Sequence, residues 1–147
     1  KRLCSIDSVV CASPDYLQKC GRPETPLDIK DHECNLFPMP GFRSRWRFRD
    51  TKKQLVEVPV DGRYRISNAY SLKQCTVAGM WITLLARLVI KKELERGSLV
   101  NLFPDYDVAV TDFDNAAWLV YPSRKYLPLK VKLVVEFLQQ RFIKEPP

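Results

Sequence analysis

The side chains able to do chemistry in this 147-residue chain are few and scattered. His32 is the single histidine, and Cys34 stands two positions after it. One imidazole with no clustered cysteine pair cannot complete the four-ligand set of a structural zinc ion, so no metal site is expected. Buried thiols and a loop histidine are the plainer reading of these two residues. Asp105 and Asp107 are close in sequence, but two carboxylates without a further partner read as surface residues and not as an acid/base pair. No G-x-S-x-G, Walker loop or glycine-rich phosphate turn is present. No catalytic residue and no cofactor are assigned, and the chain is not expected to be an enzyme.

Binding chemistry is better represented. After Arg65-Ile66, Ser67 and Asn68 can each cap a helix over 69–78 that Gly79 ends, and a helix start offers free backbone N–H groups beside their polar side chains. An anionic ligand would suit that chemistry, although capping alone also accounts for both residues. Thr83 and Leu85 close a short apolar run, Met80 to Leu85, at the kind of strand end where open α/β sheets meet their ligands; core packing is the competing reading. Arg43, Arg45, Arg47 and Arg49 alternate with Ser44, Trp46 and Phe48, which raises a nucleic-acid face with interleaved stacking rings. Strand alternation sends the rings to the opposite side, so the arginines read as a solvated outer face.

The elements that must hold these groups can be read from local signals. Val9 to Ala12 is an apolar run of strand type, and Ser13-Pro14 supplies a cap and a first-turn proline for a helix over 14–20. Thr25-Pro26 with Asp28 at the third helical position repeats the start signal. Two strands, one through Arg49 and one over 54–60, form an expected hairpin. Beyond Tyr64 the order is helix 69–78, buried strand 80–85, helix 87–96 stopping at Gly97, and strand 99–103, which predicts a parallel sheet with covering helices. Ala116 to Tyr121 reads as a further strand. The last helix, 128–142, carries Val131, Val134, Val135, Leu138 and Phe142 on one stripe.

Bulk properties set wide limits. Apolar residues at 46% and charged residues at 28% describe a folded globular chain, and no apolar run approaches the roughly 20 residues of a spanning helix. Five cysteines with no C-x-x-C spacing argue against a disulfide framework and fit a reducing cytoplasm. A net charge of +7 admits nucleic acid, an acidic surface or a lysine-rich solvated face, and selects none of them.

Several ordered blocks together resemble the effector-binding domain of LysR-type transcriptional regulators. Val10-Cys11-Ala12-Ser13-Pro14-Asp15-Tyr16-Leu17, Gly21-Arg22-Pro23, Pro26-Leu27-Asp28-Ile29 and His32 with Cys34 open the series. Trp46-Arg47-Phe48, Gly62-Arg63, Ser67-Asn68, Ala78-Gly79, Leu99-Val100 and Pro104-Asp105-Tyr106 continue it, and Leu119 to Arg124 with Tyr126-Leu127-Pro128 ends it. The resemblance implies a type 2 periplasmic-binding-protein-like α/β fold with one complete subdomain and the C-terminal part of another. Residues 1–12 would be a crossing strand from the truncated subdomain, 13–120 the effector-binding subdomain, and 121–147 the return crossing and terminal helix.

A small effector would bind in the cleft between subdomains, with Ser13 approaching it from the first crossing unless its hydroxyl only caps. In the intact protein, the resemblance further implies a winged helix-turn-helix ahead of Lys1 as the only DNA contact, no membrane partner, and assembly into dimers or tetramers. The terminal helix would then show an exposed apolar face or find a substitute partner. Two departures stand out: Leu85-Ala86-Arg87 where many relatives have Leu-Pro, and Trp81 where glycine is common. Two other functions share parts of this pattern: a solute-binding transport protein of the same fold, and a basic domain that binds nucleic acid by itself.

Overall fold

A computed structural model describes residues 1–38, 44–121 and 127–144. Contacts within the chain group into two units, Asp7–Phe113 and Lys1–Ile6 with the residues from Asp114 onward. The units change at 6/7 and 113/114, before the 12/13 and 120/121 limits expected from the sequence.

In the larger unit, β2 (Ser8–Ala12) lies at the centre of the sheet. Its neighbours are β6 (Ile82–Ala86) on one side and β7 (Val100–Asn101) and β8 (Asp107–Ala109) on the other. Outward from β6 comes β3 (Cys34–Asn35), and outward from β8 come β4 (Arg45–Arg49) and β5 (Leu55–Pro59). Period-two alternation along β2 feeds two cores. Val10 and Ala12 join Tyr16, Ile29, Trp46, Phe48 and Phe103, while Val9 and Cys11 join Leu72, Leu85, Ile90 and Leu99. The first core is covered by α1 (Pro14–Cys20) and a 3-10 helix over Pro26–Asp31, the second by α2 (Ala69–Val77) and α3 (Arg87–Arg96).

The sheet is not the parallel one expected. Among the described pairings of this unit's strands, β3 with β6 is parallel and the rest are antiparallel. The reason is the entry of the chain. Strands β6 and β7 share a direction, as their strand-helix-strand order demands, but β2 inserts between them and runs against both. The β4–β5 hairpin forms in the expected place, pairing Arg47 with Glu57 and Phe48 with Val56. Its turn uses Lys53 at φ 61, with the Gln54 N–H donating to Asp50 Oδ1. Arg43 of the expected arginine row lies outside the described residues, as do Pro122 to Tyr126 of the expected return crossing.

Two glycines are set by geometry. Gly97 ends α3 at φ 73, a left-handed conformation that costs a residue with a Cβ. Gly62 passes so close beneath Cys34 that a methyl group there would fall inside the Cys34 carbonyl.

The smaller unit pairs β1 (Arg2–Ser5) antiparallel with β9 (Ala116–Trp118), and α4 (Leu129–Lys144) packs on β1. Arg2 closes an ion pair with Asp114 at 2.9 Å, and the Lys1 ammonium donates to the Gln139 side chain. The expected stripe on α4 holds at Val131, Val135, Leu138 and Phe142, which are buried or half-buried, whereas Val134 turns outward. A second apolar face is exposed: Leu129 at 71%, Leu133 at 55%, Val134 at 56% and Phe137 at 66%. The anticipated exposed face is therefore present, on residues largely different from those of the stripe.

Candidate functional site

The carboxyl edge of β3 and β6 gathers the groups best suited to hold a small ligand. Leu36, just past β3, donates its N–H to Tyr64 O and accepts at its carbonyl from Ile66 N–H, so the chain before α2 runs beside the strand and delivers Ser67 and Asn68 to that edge. Because α2 leads back into the start of β6, its own start lies at the opposite, carboxyl end of that strand. Strand β6 passes directly into α3, whose start shares that edge. This is the side on which open α/β sheets take ligands.

Asn68 has extended backbone and accepts the Ser71 N–H at 2.9 Å, so its side chain is the cap of α2. The N–H groups of Ala69 and Tyr70 remain for an incoming acceptor. Ser67 and Asn68 are both exposed. Neither α2 nor α3 carries an acidic residue in its first turn, which leaves the positive ends of both helix dipoles uncompensated by side chains. Arg65 and Arg87, both exposed, flank the two starts. At α3, Ala86 has φ −62, a value proline would impose, so the departure from Leu-Pro keeps the backbone path that proline would fix.

The other three expected residues face elsewhere. Thr83 is fully buried; its hydroxyl lies 2.8 Å from that of Thr76, whose own hydrogen goes to Leu72 O. The threonine pair thus bonds β6 to the inner side of α2. Leu85 is 3% exposed and belongs to the core under α2 and α3. Ser13 caps α1, accepting the Tyr16 N–H at 3.2 Å, and is buried. It sits beside Gly79, past the C-terminal end of α2, and the nine-residue helix spans about 13 Å between that end and Asn68. The structure therefore brings Ser67 and Asn68 together and sets Ser13 apart from them.

Sequence reasoning overlooked Lys73 and Asn35, and it singled out Trp81 without its cause. Lys73, on the inner side of α2, is buried and pairs with Glu93 of α3 at 2.9 Å, its Nζ lying 4.3 Å from the ring centre of Tyr70. This pair holds the Glu93 carboxyl below its ordinary range, the Lys73 hydrogen bond being the main cause. The signal was available, because Lys73 falls in the inward spacing 69, 72, 73, 76. Asn35 is fully buried, donating Nδ2 to Met80 O, and its Oδ1 has no partner among the described residues. Trp81 has φ 54, which explains why glycine suits this position, and its ring stacks on Tyr64 at 5.2 Å.

His32 and two of the thiols are held within the fold. His32 Nδ1 is 2.7 Å from the Tyr16 hydroxyl, and burial pushes the Cys34 thiol up to about 12, as it does Cys11. No group of three His, Cys, Asp or Glu side chains among the described residues is placed to hold a metal ion. Asp107 is taken by Arg49 at 2.9 Å. A cavity of about 400 Å³ beside His32 and Arg63 lies at the amino end of β3, away from the helix starts.

With this layered sheet and its paired helix starts, the chain matches the model of the LysR substrate binding domain over residues 1–143, and it belongs to that family. Among curated relatives, the probable HTH-type transcriptional regulator LtrA of Klebsiella pneumoniae is 26% identical over 140 residues, which are 95% of this chain and 45% of the relative. The chain thus spans about half the length of the curated relatives it matches. Solved structures agree on the fold: the regulatory domain of CrgA from Neisseria meningitidis superposes with a TM-score of 0.74 at 21% identity, covering 96% of this chain and 67% of that one. Full-length AphB of Vibrio cholerae superposes at 0.76 with 21% identity, covering 95% and 46%. These are the regulatory domains of transcriptional regulators and share the periplasmic-binding-protein-like α/β fold. The relatives are named as transcriptional regulators and not as enzymes. No helix among the described residues is long and apolar enough to cross a membrane.

Proposed function

We propose that this chain senses a small anionic effector for a bacterial LysR-type transcription regulator, binding it at the starts of α2 and α3 and not transforming it. Support comes chiefly from one observation: two helix N-termini share the carboxyl edge of β3 and β6, neither has a first-turn acid, and Ser67 and Asn68 are exposed there. Ser67 Oγ and the Asn68 amide would donate to the anion together with the N–H groups of Ala69 and Tyr70. The larger unit would be the effector subdomain. DNA contact, in this reading, belongs to a winged helix-turn-helix elsewhere in a cytoplasmic, homo-oligomeric regulator, and effector occupancy acts through differential affinity for two states of the assembly.

The test is calorimetric titration of the chain with a panel of small mono- and dicarboxylates. Ser67→Ala and Asn68→Ala should each weaken the tightest binder about tenfold, the loss of one charge-assisted hydrogen bond. Asn68→Ser keeps the cap and separates ligand contact from helix stability. A carboxylate bound equally well by all three variants would remove these residues from the site.

A further inference from the structure

Helix α2 is seated differently from its neighbour. Of the three side chains that it buries, Leu72, Lys73 and Thr76, only Leu72 is apolar. Helix α3 sends Ile90, with Val89 and Leu94, into the same core. The polar contacts under α2 land on three different elements: Lys73 pairs with Glu93 of α3, Thr76 shares a hydrogen bond with Thr83 of β6, and Asn35 of β3 donates Nδ2 to Met80 O. Met80 moves with the helix end, because its own N–H donates to Cys75 O and that of Gly79 to Thr76 O. Asn35 and Thr83 are register partners across β3 and β6, and both are fully buried. One cross-strand pair therefore grips the end of α2 at two points.

We propose that Asn35 and Thr83 are positioning residues that select the one seat of α2 on the sheet, contributing more to its uniqueness than to its stability. Apolar packing is non-directional, and a helix resting on Leu72 with half-buried Ala69 and Val77 can slide or roll by a fraction of a turn at little cost. A hydrogen bond fixes both distance and angle. Stability alone gives no reason for the amide: Asn35 gains its bond to Met80 but buries an Oδ1 with no partner among the described residues, and an unmatched buried acceptor offsets what the bond contributes. Ser67 and Asn68 lie at the start of the same helix, so under the effector reading above this pair also fixes their place. The seat itself does not depend on that reading.

Amide spectra and ¹⁵N relaxation dispersion of the ligand-free 147-residue chain, with urea unfolding of the same samples, test this. Asn35→Leu and Thr83→Val keep side-chain shape and remove the directional groups. Each should lose the single sharp set of amide signals over 69–77, through exchange on the microsecond-to-millisecond scale, while those of β2 and β4 stay as in the wild type. Leu72→Ala is the opposite case, with a larger drop in the unfolding midpoint than either variant and α2 still in one seat. Should Asn35→Leu overpack and fail to fold, Thr83→Val, which changes one hydroxyl to a methyl, decides alone. The proposal is overturned if 69–77 stay sharp without the directional groups. It is also overturned if Leu72→Ala broadens these signals as much, because packing would then set the seat.

Discussion

The two units bury apolar surface in different ways. In the larger unit, β2 sends alternate side chains into two cores, each roofed by helices, and Trp46, Phe48, Leu72 and Ile90 reach 2% exposure or less. In the smaller unit, α4 rests on β1 through one stripe and keeps a second apolar face in water. A sheet covered on both sides makes each apolar side chain part of the stability of its unit. A helix laid on a two-stranded sheet spends only half of its hydrophobic surface, and the other half is free to meet something else.

Substitutions sharpen that contrast. Phe48→Ala, in the first core, should cost about 3–5 kcal/mol in urea unfolding. Phe137→Ser, on the open face of α4, should cost well under 1 kcal/mol. A Phe137→Ser loss as large as that of Phe48→Ala would show that the face is covered in solution.

An intermediate effect is expected at the helix pair. Lys73→Ala leaves the half-buried Glu93 without its charged partner and should cost about 2 kcal/mol, the loss of a hydrogen bond between charged groups. Lys73→Met with Glu93→Leu should recover most of that. The pH dependence has a fixed sign. The Glu93 carboxyl is depressed in the folded chain, so its contribution is full above the unfolded value and is lost as pH falls through the folded one. Unfolding titrations between pH 5 and 3 should therefore show a loss in the wild type that is smaller in the Lys73→Met variant. Equal slopes would sink the assignment.

A smaller effect than at the helix pair concerns Tyr64 and Trp81. Tyr64→Ala should cost about 1 kcal/mol in the wild type and close to nothing once Trp81 is glycine, because the stacked partner is gone. Equal costs in both backgrounds would mean that the stack contributes nothing.

How much of this was legible depends on whether a signal was local. Ser13-Pro14 and Ala86-Arg87 to Gly97 place α1 and α3 at their residues, because caps and stops act within one turn. Alternation along Arg45 to Arg49 placed Trp46 and Phe48 inside. The direction of β2 was not legible: an apolar run reads alike whichever way its neighbours run, and the pairing of Val10 with Leu84 joins residues far apart in sequence. For the same reason Thr83 looked free to meet a ligand when Thr76 already occupied it. Ser67 and Asn68 were placed at the start of α2 because a helix start declares itself locally, and Lys73 was passed over because a lysine is ordinarily read as solvated.

The tryptophans bring the contrast between the units within reach of a spectrometer. Trp46 is sealed in a core of the larger unit, Trp81 stacks half-buried on Tyr64, and Trp118 on β9 is 63% exposed in the smaller unit. The chain thus carries three built-in fluorophores in three solvent environments, one of them outside the larger unit. Keeping a single indole at a time, with phenylalanine at the other two positions, would let the same emission band report separately on the sheet core, the strained turn before β6 and the small β1–β9 ribbon.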